Sequence, residues 1–126
     1  MTGAQILVVE DNERNMKLVR DVLQAKEYRT LEATTGARAI ELAAAHDPDL
    51  VLMDIQLPDL DGVETLRRLR ADTRTASIPV LALTAQAMQG DRERFLAAGF
   101  DDYLSKPVDV VELVEVVERL SRARGR

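Results

Sequence analysis

Cysteine does not occur anywhere in the 126 residues, which removes disulfide frameworks and thiolate metal sites from consideration. Basic residues are outnumbered, 17 against 22 acidic, and the net charge of −5 comes with no basic stripe. That balance argues against nucleic acid and anionic membranes as partners. No apolar run approaches the length of a membrane span, and the amino end, Met1-Thr2-Gly3-Ala4-Gln5, lacks the charged start of a signal peptide. A cytoplasmic location is therefore expected. Neither a linker nor a repeat interrupts the chain. At this length the expectation is one domain over 1–126, with no output domain attached and a frayed tail at 122–126.

What is present is a regular alternation. Ile6 to Val9 and Leu50 to Met53 are short, continuous apolar runs, and each ends directly in carboxylates, Glu10-Asp11 and Asp54. Ile78 to Leu83 is a third such run, interrupted only by Pro79 and ending in Thr84-Ala85. Runs this short, closed by Pro, Gly or polar residues, suit strands buried on both faces. Arg29 to Ala33 alternates polar with apolar, as a half-exposed edge strand does, and Tyr103-Leu104-Ser105 is a short fifth strand leading into Lys106-Pro107.

Between these runs the apolar spacing is helical. Met16, Val19 and Leu23 predict a helix over 13–26 with Asn12 as N-cap. Thr35 caps a second helix with Ala39, Ile40 and Ala43 inward and His46 near its end. Val63, Leu66 and Leu69 mark a third. A weaker helix is expected over 86–98, with Gly90 inside it and Gly99 just past its end. The last, over 108–121, carries Val110, Leu113, Val114, Val117 and Leu120 on one arc and leaves Val111 and Val116 off it.

Five strands alternating with five helices imply an α/β fold, a single doubly wound parallel sheet covered on both faces. With the first, third and fourth strands central, the order is 2-1-3-4-5, and ligands bind outside the carboxyl ends of the strands at its switch point. Asp11 and Asp54 end the two strands flanking that point, and Thr84 and Lys106 end their neighbours. Glu10, Asp11 and Asp54 would crowd three carboxylates together, with a mutual cost of about 4 kcal/mol for each pair at about 4 Å. Lys106 offsets one charge. A hard divalent cation suits the remainder, Mg²⁺ with retained waters above all. Cation, lysine, hydroxyl and carboxylate together are the parts of a phosphoryl-transfer site, with Asp54 as acceptor.

The set Glu10-Asp11, Asp54, Thr84-Ala85, Tyr103 and Lys106-Pro107 resembles the receiver domain of two-component response regulators, over essentially the whole chain. The stretch Glu10 to Met16 is similar to single-domain regulators of the DivK type and to receivers of hybrid histidine kinases. The resemblance implies the receiver, flavodoxin-like fold, with Asp54 phosphorylated by a sensor histidine kinase or a histidine phosphotransfer protein. It implies Mg²⁺ held by Asp11, Asp54 and the Gln56 main-chain carbonyl, with Glu10 acting through water. It further implies that Thr84 and Lys106 hold the phosphoryl group, that Lys106-Pro107 is cis, and that Tyr103 is a switch aromatic coupled to Thr84. Gln56 and Gln86 fall where phosphate lifetime is tuned, and output is expected through the face of the fourth helix, fifth strand and fifth helix. The chain is then a stand-alone, monomeric or weakly dimeric switch with slow loss of its own phosphate, and not a turnover enzyme.

Three other functions fit parts of this pattern. An aspartate-nucleophile phosphatase of the haloacid dehalogenase type needs a second aspartate two residues after the nucleophile, where this chain has Gln56. A docking module that keeps the fold without phosphorylation has no need of Asp11, Asp54, Thr84 and Lys106 together. A mononucleotide binder of the same topology would require a Gly/Ser/Thr phosphate loop in place of Asp11-Asn12-Glu13-Arg14.

Overall fold

The computed structural model describes residues 3–85 and 90–123. Five strands, β1 (Gln5–Val9), β2 (Arg29–Ala33), β3 (Leu50–Asp54), β4 (Val80–Thr84) and β5 (Asp102–Ser105), alternate with five helices. These are α1 (Glu13–Ala25), α2 (Gly36–His46), α3 (Gly62–Ala71), α4 (Asp91–Ala98) and α5 (Val110–Ala123). The strands form one parallel sheet in the order β2-β1-β3-β4-β5. The expected architecture is the observed one.

Strand alternation divides the core into two layers. Leu7, Val9, Val51, Met53, Val80 and Ala82 face α2, α3 and α4, whose inward residues include Ala39, Ala43, Leu66, Leu69 and Phe95. Ile6, Val8, Leu50, Leu52, Leu81 and Leu83 face α1 and α5, meeting Met16, Val19, Leu23, Leu113, Val117 and Leu120. β3 and β4 are buried from end to end, whereas β2 keeps Arg29 and Glu32 in solvent, as an edge strand should.

Helix starts follow side-chain capping. The side chains of Asn12, Thr35 and Asp61 accept the backbone N–H of Asn15, Arg38 and Glu64 at the heads of α1, α2 and α3. Asp109 does the same for Glu112 at α5. α4 has no such side chain. Gly90, expected inside that helix, stands at its N-cap with a left-handed backbone, and Gly99 closes it in the same region. Only Asp91 and Phe95 of α4 are buried. The first part of the expected 86–98 helix, residues 86–89, lies outside the described residues.

Four further details depart from expectation. Val63 and Val110 are exposed, because each sits in the first turn of its helix, past the edge of the layer it was assigned to. Leu42 takes an inward place in α2, while Ile40 is only partly covered. Val116 packs against the α1/α5 layer, whereas Val111 stays exposed. Of the tail expected to fray, Arg122 and Ala123 stand in the last turn of α5, where Arg122 Nη2 pairs with Glu118 at 2.6 Å, and residues 124–126 lie outside the described residues. No helix among the described residues is long and apolar enough to cross a membrane.

Candidate functional site

Glu10, Asp54 and Lys106 each stand two residues past an inward-facing leucine or valine of the α1/α5 layer, so the pleat aims all three to the same side of the sheet's carboxyl edge. Their side chains converge there. Lys106 Nζ donates to Asp54 Oδ2 at 2.8 Å and lies 2.9 Å from Glu10 Oε2. Asp54 Oδ1 accepts the Gln56 N–H at 2.9 Å, and Glu10 Oε1 accepts the Asn12 N–H at 3.1 Å. Glu10 is wholly buried, Asp54 nearly so, and Asp11 is exposed beside them. One carboxylate oxygen from each of Glu10, Asp11 and Asp54 lies within 4.8 Å of the others.

At that spacing each like-charge pair costs about 3.5 kcal/mol at an effective dielectric near 20. Three carboxylates face one ammonium, so one cation cannot balance them. Burial pushes the Glu10 carboxyl above its ordinary range; Lys106 opposes the shift and Asp54 adds to it. Burial alone would pull the Lys106 ammonium down, but Asp54 and then Glu10 outweigh it, and the net direction is up. Glu10 Oε2 is buried and has no aligned hydrogen bond: Lys106 meets it as an ion pair only. An all-oxygen cluster with surplus negative charge and an orphaned buried oxygen fits a hard divalent cation.

The remaining expected residues take different places. Thr84 ends β4 and is buried, beside β5 through a bond from Lys106 N–H to its carbonyl at 2.8 Å. Alternation puts its side chain with Val80 and Ala82, on the opposite face of the sheet from Lys106. Tyr103 shares that face, half-buried, with its ring centroid 5.5 Å from that of Phe95. The Lys106-Pro107 peptide is cis. Gln56 is exposed in the loop after β3, and Gln86 lies outside the described residues. His46 ends α2, about 15 Å of helix away from the end nearest the site.

Among the carboxylates that no sequence motif singles out, Asp59 and Asp102 tie separate elements together. Asp59, in the loop after β3, accepts the N–H groups of Gly36 and Ala37 at 2.8 and 3.0 Å. Asp102, buried in β5, is held between Arg92 of α4 and Arg119 of α5 at 2.8 and 2.6 Å. Asp59 follows the Pro58 that breaks the chain after β3 and Asp102 precedes the expected fifth strand, and neither position names a partner so distant in the chain.

The family model of the response regulator receiver domain matches residues 6–118. The chain is 46% identical over 113 residues to the polar-differentiation response regulator DivK of Brucella ovis, covering 90% of this chain and 92% of that one. Among solved structures, the receiver domain of a Pseudomonas aeruginosa sensor histidine kinase superposes with a TM-score of 0.87 at 40% identity, over 96% of this chain and 99% of the other. That domain holds a magnesium ion in its active-site cleft. The receiver domain of a Francisella response regulator reaches a TM-score of 0.89 at 27% identity, over 96% and 98% of the two chains. Similarity that begins in β1 and runs into α5 takes in both strand-end carboxylates and the lysine that bridges two of them, and on these grounds the chain belongs to the response regulator receiver family of two-component systems and is DivK-like within it.

Proposed function

We propose that Asp54 is a phosphoryl acceptor, loaded from a phosphohistidine carried by a sensor histidine kinase or a histidine phosphotransfer protein. The observation that carries this reading is the Lys106 ammonium held between Glu10 and Asp54 at 2.9 and 2.8 Å, inside a cluster that Asp11 completes. In the transfer the donor P–N bond breaks and a P–O bond forms to an Asp54 carboxylate oxygen. The donor imidazole leaves with the electron pair and keeps a proton.

Asp54 is nearly buried, so little water competes for its carboxylate, and the Gln56 N–H and Lys106 orient it. Lys106 then exchanges part of its contact with the carboxylates for a phosphoryl oxygen, and the Thr84 hydroxyl takes another. Asp11, Asp54 and the Gln56 carbonyl would hold Mg²⁺, with Glu10 acting through water; the ion would supply the positive charge that Lys106 alone does not. The magnesium in the Pseudomonas aeruginosa relative supports that choice of ion.

Turnover would need an acid/base beside Asp54, and that position is Gln56, while His46 is remote. The domain is therefore a switch with slow loss of phosphate, tuned at Gln56 and Gln86, and not a phosphatase. Its readout is the Thr84–Tyr103 layer and the α4–β5–α5 face, through contact with another protein. The lightly anchored α4 is the bistable element, biased only by differential affinity of phosphate for its two states.

Purified protein given a small phosphodonor and Mg²⁺ should gain one phosphate by intact mass, and Asp54→Asn should gain none. Equal labelling of the Asn variant would refute the assignment.

A further inference from the structure

The loop from Ile55 to Asp61 is pinned at its two ends and at Asp59. Ile55 N–H continues the sheet ladder to Leu83, and Ile55 carbonyl accepts Gly62 N–H at 2.7 Å. Gln56 N–H is taken by Asp54, and Asp61 caps α3. Asp59 does something different: it leaves its own segment and fastens the loop to α2. Its two carboxylate oxygens satisfy Gly36 and Ala37 N–H, two of the donors that a helix start leaves without partners. Thr35 satisfies a third, Arg38 N–H, from within α2's own segment.

The junction is tight. A Cβ on Gly36 would stand 2.5 Å from Thr65 Oγ1 and 3.0 Å from Leu60 Cβ, so the head of α2 lies directly against α3 and the loop between β3 and α3. Among the described residues none donates to the Gln56 carbonyl, three residues before Asp59.

We propose that Asp59 is a positioning residue for the cation site: by clamping the β3–α3 loop to the first turn of α2, it holds the Gln56 carbonyl in place to ligate a divalent ion with Asp11 and Asp54. This rests on the assignment of that carbonyl as a ligand under the proposed function. The clamp acts through the backbone, and Asp59 touches neither the ion nor the phosphoryl group. Its carboxyl lies below the ordinary range, with the Gly36 N–H as the main cause and the Ala37 N–H next, so it is anionic wherever the site operates.

The test is Mg²⁺ titration by calorimetry on the full chain, with urea stability measured in parallel. Wild type should bind one ion, and Asp54→Asn should lose it. Asp59→Ala should weaken Mg²⁺ binding about tenfold, as loss of an outer support to a ligand does. Asp59→Asn, with a single carbonyl acceptor, should recover part of that loss. Thr35→Ala is the control, since it removes a cap from the same turn of α2 without touching the loop. It should lower stability and leave Mg²⁺ affinity at the wild-type value. With a small phosphodonor, Asp59→Ala should raise the Mg²⁺ concentration for half-maximal phosphorylation and leave the saturated rate near wild type.

Unchanged affinity in Asp59→Ala would overturn the clamp while leaving the proposed function intact, and so would an equal loss in Thr35→Ala. Failure of wild type to bind Mg²⁺, or undiminished binding in Asp54→Asn, would instead remove the cation site itself and the clamp with it.

Discussion

Lys106→Met tests the electrostatic reasoning behind the site, because it keeps most of the stem and removes only the charge. In the parent the ammonium touches both Asp54 and the wholly buried Glu10. Breaking a buried pair from one side costs about 3–5 kcal/mol in general. Here the carboxylates have an exit, since Glu10 can take up a proton, and that exit sets a ceiling. Protonating a carboxyl of ordinary pKa 4.5 costs about 1.36 kcal/mol for each pH unit above that value. The Glu10 share of the electrostatic loss therefore cannot exceed about 3.4 kcal/mol at pH 7, and at pH 5.5 that ceiling falls to about 1.4 kcal/mol.

The sign follows from Glu10. Its folded pKa is raised, and further so without Lys106, so the folded variant binds more protons than the unfolded chain and gains stability as pH falls toward 4.5. Urea melts of both proteins at the two pH values measure the difference directly. Millimolar Mg²⁺ adds a second reading, because a site freed of its ammonium competitor binds the ion more tightly; a tenfold gain would recover about 1.4 kcal/mol at saturation. A destabilisation equal at both pH values, with both proteins responding alike to Mg²⁺, would show that Lys106 does not balance these carboxylates.

Gly62→Ala should lower stability by about 1–3 kcal/mol and slow phosphorylation of Asp54, since the new Cβ would meet Ile55 Cα at 2.8 Å and displace the loop carrying Gln56. Denaturant melts and phosphodonor labelling report the two effects. Arg70 donates to the carbonyls of Ala76, Ile78 and Gly99 at the opposite edge of the sheet, so Arg70→Ala should cost about 2–4 kcal/mol and leave the phosphorylation rate unchanged. Lysine there, lacking the planar fork, should not restore the melt. Asp59 and Glu64 have lowered folded pKa values, from the Gly36 N–H and from Arg67 respectively, so their stabilisation is complete above the ordinary values of 3.8 and 4.5 and is lost as pH falls below them. Acid melts with and without added salt should separate the two, because salt screens the exposed Glu64–Arg67 pair more than the backbone-bound Asp59.

The strands were legible because burial on both faces demands unbroken apolar runs, and Asp54 was legible because the run of β3 ends on it. Lys106 and Thr84 became readable only in combination with the carboxylates. Val63 and Val110 misled because helical spacing gives a face but not how far along the axis a covering layer extends. Gly90 falls inside the expected helix because a left-handed backbone at a helix start leaves no mark in the apolar spacing. Asp59 could not be read at all: its partners are 22 and 23 residues away and are main-chain groups, which leave no side-chain signature.

The Lys106 N–H donates to the Thr84 carbonyl, while strand alternation assigns their side chains to opposite faces of the sheet. Anything gripped by both must straddle the rim, one hand on each layer. Under the proposed function, a phosphoryl group held by both would load the helix layers in front and behind together.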